Sequence, residues 1–190
     1  MPDGKIVMLV DVNSVERECR TVHILTFDSD YNLLKKRIIE PEGIRVDLIP
    51  YDMFILNDNN ILVNLYEYKK NGEWEKKWYL KYSLDQDSII WKGAPYTTAP
   101  SSGISCCVED NNNIAHIFWS ESTSSSSTYN YRQINSNGTI IKEVNNLDYR
   151  IFAAMKDKEG NVYVSGGYKE DSDTKTGAFV RKLDAASGIL

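Results

Sequence analysis

The sequence predicts an all-β chain made of about four copies of one antiparallel meander. Three observations carry that reading. Two short phrases recur along the chain at a common spacing. The residues between the apolar runs are turn formers. Outside Asn13 to Arg20 no stretch has a convincing 3.6 period.

The first phrase is a turn rich in Asp, Asn and Gly followed by a short apolar strand. It begins at Pro2-Asp3-Gly4, Asn57-Asp58-Asn59-Asn60, Asp110-Asn111-Asn112-Asn113 and Asp157-Lys158-Glu159-Gly160-Asn161. The first strand residues are Ile6, Ile61, Ile114 and Val162, so the intervals are 55, 53 and 48 residues. The second phrase is a strand that runs into an Asp or Asn and a small polar turn. Its key positions are Asp28, Asp85, Asn135 and Asp184, with intervals of 57, 50 and 49. Two phrases with one period define a repeat. The units are expected at 1–44, 45–97, 98–147 and 148–190.

Each element then has a local reason. Asn-Asn, Asn-Gly and Gly-Asn accept the positive φ of tight hairpins, and Val, Ile, Tyr, Phe and Thr suit the strands between them. In the first unit Ile6 to Val10 and Leu25 to Phe27 read as strands. The second unit reads as strands from Arg45 to Leu56, Ile61 to Tyr68, Lys76 to Leu84 and Ser88 to Trp91. The third reads as Gly103 to Val108, Ile114 to Trp119, Tyr129 to Ile134 and Thr139 to Val144. In the fourth, Val162 to Ser165 and Arg181 to Leu183 are strands. Asn13 to Arg20 also admits a short capped helix, with Val15, Cys19 and Val22 on one side.

Composition narrows the function. The 190 residues carry 22 Lys and Arg against 27 Asp and Glu, a net charge of -5. Nucleic-acid binding and docking on anionic membranes call for a basic face, so neither is expected. No apolar stretch of about 18 residues is available to span a bilayer. Met1 to Lys5 lead into only five apolar residues, which does not read as a signal peptide. Cys19, Cys106 and Cys107 lack metal or redox spacing and read as small buried apolar residues. His23 and His116 lie in separate strand-like segments with no converging ligand pattern. No cofactor or metal is expected.

A four-stranded unit of about 50 residues has the size of a β-propeller blade. Asp157-Lys158-Glu159-Gly160-Asn161-Val162-Tyr163-Val164-Ser165-Gly166-Gly167, continued by Gly177-Ala178-Phe179-Val180-Arg181-Lys182-Leu183-Asp184, resembles the bacterial β-propeller repeat family, with its D-x-x-G-N-x-Y-V-x-G and D-A-F-V-x-K-L-D-x-x-G phrases. The likeness spans about 30 residues and is degenerate in the other units. Asp184 to Gly188 also looks like part of the quinoprotein blade motif. The resemblance implies a β-propeller of about four four-stranded antiparallel blades, in whole or as part of a larger ring. It implies a fold and not an activity. Read in blade register, the chain opens on a second strand and stops at the start of a fourth. A longer parent chain, a second copy or an irregular four-bladed ring would supply what is absent.

Ligand sites of propellers usually lie on one loop-bearing end. The expected loops are Asn13 to Glu18, Lys69 to Glu75, Ser120 to Thr128 and Tyr168 to Thr176, with Glu40 to Ile44 and Gly93 to Ser102 between blades. Ser120 to Thr128 is low in complexity and reads as a linker-like surface loop. Trp74, Trp78 and Tyr168 are the candidate ligand-binding residues, because aromatic rings suit sugar faces. Asp28-Ser29-Asp30-Tyr31-Asn32 opens like a calcium loop but has Leu33 where glycine is required, so it reads as a solvated turn. No nucleophile elbow, phosphate loop or acid–base pair stands out. The expected function is therefore a binding or scaffolding propeller, extracellular or in the cell envelope, that engages protein or glycan. Two alternatives remain. One is part of a propeller-type glycoside hydrolase or lyase; the other is an assembly module, such as a homo-oligomer, joined through open blade edges.

Overall fold

The computed structural model describes residues 4–16, 18–41, 46–69, 74–96, 101–122, 124–169 and 176–184. It is all-β, with fourteen strands and no helix among those residues. The chain divides into two compact units, Met1–Thr98 and Ala99–Leu190.

The first unit holds two sheets. β1 (Ile6–Ser14), β2 (Cys19–Phe27) and β3 (Leu33–Ile39) form a three-stranded meander. β4 (Val46–Ile55), β5 (Asn60–Lys69), β6 (Trp74–Ser83) and β7 (Ser88–Lys92) form a four-stranded one. The second unit repeats the plan. β8 (Ser101–Glu109), β9 (Ala115–Ser122), β10 (Ser127–Ile134) and β11 (Ile140–Val144) make four strands, and β12 (Tyr149–Lys156), β13 (Val162–Lys169) and β14 (Thr176–Lys182) make three. Every pairing is antiparallel between sequence neighbours, which is the strand plan of propeller blades. The two middle sheets have four strands. Among the described residues the first and last sheets have three.

The helix considered for Asn13 to Arg20 does not form. Ser14 and Cys19 close a β-hairpin instead, with Glu18 at φ 48°. The segment after it, Thr21-Val22-His23-Ile24, is β-branched and buried, and its pairing with β1 outweighs one helical turn. Arg17 lies outside the described residues. Ser120 to Thr128 joins β9 and β10 as a hairpin, with Thr123 outside the described residues. β9 and β10 continue to a Ser122–Ser127 pair whose hydroxyl oxygens are 2.9 Å apart.

One turn accounts for the Asp/Asn/Gly phrase in its described copies; Pro2 and Asp3 lie outside the described residues. In the five-residue stretches that start at Asp28, Leu56, Asp110, Asn135 and Asp157, the first N–H donates to the fifth carbonyl at 2.8–3.1 Å. The fourth residue has positive φ each time: Tyr31 64°, Asn59 52°, Asn113 59°, Gly138 84° and Gly160 90°. Where the first residue is Asp or Asn, its Oδ1 accepts the N–H of the fifth, as at Asp28–Asn32, Asp110–Ile114, Asn135–Thr139 and Asp157–Asn161. This is a three-residue hairpin loop with an Asx lock.

A second regularity is invisible as a motif. Three first strands carry one extra residue at the same place, four positions before the strand's last pair: Tyr51, Ser105 and Phe152. Three outer strands do the same with Leu34, Ile90 and Ile141. A bulge turns its extra residue away from the ladder. Five of these six are large, apolar and 40–55% exposed.

Each unit has its own core. In the first, Val22, Ile24 and Ile39 pack against Leu48, Ile61, Val63, Leu65, Trp78 and Leu80. In the second, Cys106, Phe118 and Tyr131 pack against Ile151, Val162, Val164 and Leu183. Burying one such aliphatic or aromatic side chain contributes about 1.5–3 kcal/mol. All three cysteines are buried and no disulfide joins them; burial pushes the Cys106 thiol up to about 12.

Candidate functional site

The sequence-predicted aromatics fall in three different settings. Trp78 is 3% exposed, sits in the first unit's core and donates its indole N–H to Glu67 Oε1 at 2.9 Å. Its ring is thus covered by protein. Trp74 begins β6, and its side chain lies outside the described residues, as does the loop at 70–73. Tyr168, near the end of β13, lines an open groove in the second unit.

That groove has a volume of about 940 Å³. Its walls come from the β9–β10 hairpin at Ser124 to Ser127, from Tyr129, from the Leu147-Asp148 linker, and from Arg150, Phe152 and Tyr168. The linker is pinned. Leu147 N–H donates to the Tyr129 carbonyl at 2.7 Å, and Asn146 N–H donates to Asn130 Oδ1 at 3.2 Å. Asn146 turns the corner with φ 60°, which an asparagine tolerates well. This fixes where Asp148 stands at the groove wall.

The aromatic walls are set by the bulge and by glycines. Phe152 is the bulge residue of β12 and is 55% exposed. Gly177 pairs with Tyr168, and a Cβ there would come within 2.3 Å of the tyrosine ring, so the ring lies directly on glycine backbone. Tyr168 stacks on Phe179 with centroids 6.3 Å apart, and Tyr149 meets Phe179 edge-on at 5.6 Å. A smaller groove of about 360 Å³ adjoins the first, lined by Asp148, Tyr149, Tyr168, Phe179 and Arg181. Phe152 and Arg150 escape sequence reasoning because the bulge breaks the alternation that would assign them to a side.

A third groove of about 540 Å³ lies at the β8–β9 and β12–β13 turns, among Asp110, Asn112, Glu159, Asn161, Lys182 and Asp184. The two turns are tied by Asn111 Nδ2 donating to the Lys158 carbonyl at 3.2 Å. Beneath it His116 is fully buried, with Nδ1 2.8 Å from Tyr131 Oη. Its Nε2 is 3.5 Å from Asp110 Oδ2, too long for a hydrogen bond. Burial lowers the His116 pKa below its usual value, and Asp110 opposes that in part. Among the described residues no three His, Cys, Asp or Glu side chains converge as metal ligands. The Asp28 carboxylate turns inward on its own loop, accepting from Asp30 N–H, Asn32 N–H and Asn32 Nδ2.

No protein-family model matches the sequence, and no curated protein matches it. Solved structures do. An endo-arabinase from Bacteroides thetaiotaomicron is similar at 12% identity, with 99% of this chain and 74% of that one covered and a TM-score of 0.48. An exo-β-1,3-galactanase from Phanerochaete chrysosporium, solved with β-1,3-galactotriose, is similar at 11% identity, with 99% and 45% covered and a TM-score of 0.45. The Dos1 propeller is similar at 12% identity, with 94% and 44% covered and a TM-score of 0.43. The chain spans under half the length of the galactanase and Dos1 chains.

Proposed function

We propose that this chain is a non-catalytic, glycan-binding β-propeller module whose ligand lies in the groove of the second unit. The observation that supports it most is the wall of the groove. Exposed Phe152 and half-buried Tyr168 offer ring faces, while the Ser124 to Ser127 hairpin and Asp148 offer hydrogen-bonding groups. Sugars present an apolar ring face and a hydroxyl rim, and an aromatic ledge beside short polar side chains complements both. Two of the expected ligand loops, those at Ser120 to Thr128 and at Tyr168, contribute to it. Membership of the bacterial β-propeller repeat family, carried by the phrase from Asp157 to Gly167, is part of the same proposal.

Binding is favoured over hydrolysis by one count. Cleaving a glycosidic bond takes two carboxyl groups flanking it, about 5–10 Å apart. Among the described residues lining this groove Asp148 is the single carboxylate. The test is calorimetry of the full chain with soluble xylan, arabinan, galactan and polygalacturonate, alongside a reducing-sugar assay. Binding to one of them, weakened about tenfold by Phe152→Ala, and no sugar release are expected, tenfold being about 1.4 kcal/mol. Sugar release abolished by Asp148→Asn would establish a hydrolase instead.

A further inference from the structure

The bulge that puts Phe152 on the groove wall has a counterpart in the first unit. Tyr51 is the extra residue of β4, four positions before the strand's last pair, as Phe152 is in β12. Both residues are 55% exposed. The third first-strand bulge holds Ser105, and the outer-strand bulges hold Leu34, Ile90 and Ile141, none of which offers a flat ring. From this we infer that the first unit carries a second sugar-binding site, at Tyr51 and Asp52. It takes a neutral glycan unit by stacking and by hydrogen bonds to its hydroxyls. The inference rests on the glycan reading above and extends it from one site to two.

An exposed aromatic residue is ordinary on a protein surface. Tyr51 differs in how it is held. Its ring stacks on Tyr66 with centroids 4.6 Å apart and planes 17° from parallel. Tyr66 is itself buried, and Lys77 Nζ lies 4.1 Å from its ring centre. With one face of Tyr51 covered by Tyr66, its exposure falls on the other face and the edge. That open face is the outer side of a fixed stack. A sugar settling there meets a ring already ordered, so less side-chain freedom is lost on binding.

The bulge also brings the polar group. Asp52 pairs with Asn64, two residues from Tyr66 on β5, so alternation puts Asp52 and Tyr66 on one side of the sheet. The stack on Tyr66 puts Tyr51 on that side too. In a flat strand Tyr51 and Asp52 would point to opposite sides; the extra residue sets ring and carboxylate next to each other. Asp52 is half-buried, and among the described residues no hydrogen bond or ion pair engages its carboxylate. A carboxylate accepts strongly from hydroxyls and repels a uronate, which fits a neutral sugar at this place.

Calorimetry of the full chain with neutral oligosaccharides of xylan, arabinan and galactan, and with polygalacturonate, tests this. Two sugars per chain are expected for the neutral one that binds. Tyr51→Ala and Phe152→Ala should each reduce the count to one, and the double variant should bind none. Asp52→Asn keeps the shape of the site and should weaken it about tenfold, which gives the answer if Tyr51→Ala folds poorly. Ser105→Ala should change nothing. One sugar per chain, lost with Phe152→Ala and indifferent to Tyr51→Ala and Asp52→Asn, overturns the second site and leaves the groove reading standing. One sugar lost with Tyr51→Ala and indifferent to Phe152→Ala supports this site and overturns the groove. No binding of any neutral oligosaccharide overturns the second site, and no binding of polygalacturonate either overturns the glycan reading with it.

Discussion

Tyr31 and Gly160 occupy the same place in two copies of one turn, and they are chemically opposite solutions to it. Gly160 at φ 90° pays no steric cost, and a Cβ there would also lie 2.7 Å from the Asn111 side chain. Tyr31 at φ 64° is 78% exposed and has no packing to offset its conformation. A non-glycine residue held left-handed costs about 1–2 kcal/mol, and asparagine is the usual exception. Tyr31→Asn should therefore raise stability by about 0.5–1 kcal/mol, and Gly160→Ala should lower it by more than about 1 kcal/mol, both read from urea midpoints. His116 carries a pH dependence of known sign. Its folded pKa lies below its unfolded value near 6.5, so the unfolded state binds the extra proton. Stability is complete above about pH 6.5 and falls as the pH drops below it. Melting temperatures recorded between pH 7.5 and 5 should show that fall, and His116→Gln should flatten it. His23, lowered by burial and by the nearby Lys36 charge, adds a part of the same sign.

Strands are where sequence reasoning reached furthest. The strands read at Ile61 to Tyr68, Lys76 to Leu84, Ser88 to Trp91 and Tyr129 to Ile134 match β5, β6, β7 and β10 to within two residues at each end. They were legible because β-branched and aromatic runs stand between residues that accept positive φ. The bulges were not, since a bulge is a relation between two strands and leaves no residue type behind. Leu33-Leu34, Ile89-Ile90 and Ile140-Ile141 read as apolar pairs, yet a flat strand points neighbours to opposite sides. The bulge puts Leu34, Ile90 and Ile141 outside the ladder at 49%, 40% and 50% exposure. Replacing Leu34 or Ile141 with Thr should change stability by no more than about 0.5 kcal/mol. The buried neighbour Ile39→Thr, at 3% exposure, should cost several times that. Equal losses in thermal melts would show that the extra residues are packed after all. The basic run Lys35-Lys36-Arg37 on β3, an outer strand of its sheet, discourages pairing with other chains.

At the scale of the molecule, the all-β class and the four meanders were readable, and the groove of the second unit largely was not. Trp78 admits two readings from the sequence, packing over the strands or a platform for sugars, because a tryptophan beside a hairpin turn can point either way. Its N–H found Glu67 in the interior, and burial decided the matter. Tyr168 was picked for its loop and does line the groove; its ring position depends on Gly177 in another strand, which no local pattern reveals. The calcium-like start at Asp28 is a third case. Its carboxylate is held below the usual range, chiefly by hydrogen bonds from Asn32, so its lone pairs serve the turn. Millimolar calcium or a chelator should leave the melting temperature unchanged, and a rise with calcium would reveal a cation site.

The five-residue Asx turn has one more consequence. It closes the β8–β9 and β12–β13 hairpins at Asp110 and Asp157 and the β2–β3 and β10–β11 hairpins at Asp28 and Asn135 with the same hydrogen bonds. The corner is thus a standard connector, indifferent to which strands it joins. Exposed corners of this chain are interchangeable parts, so new loops can be spliced in there while the sheets on either side keep their register.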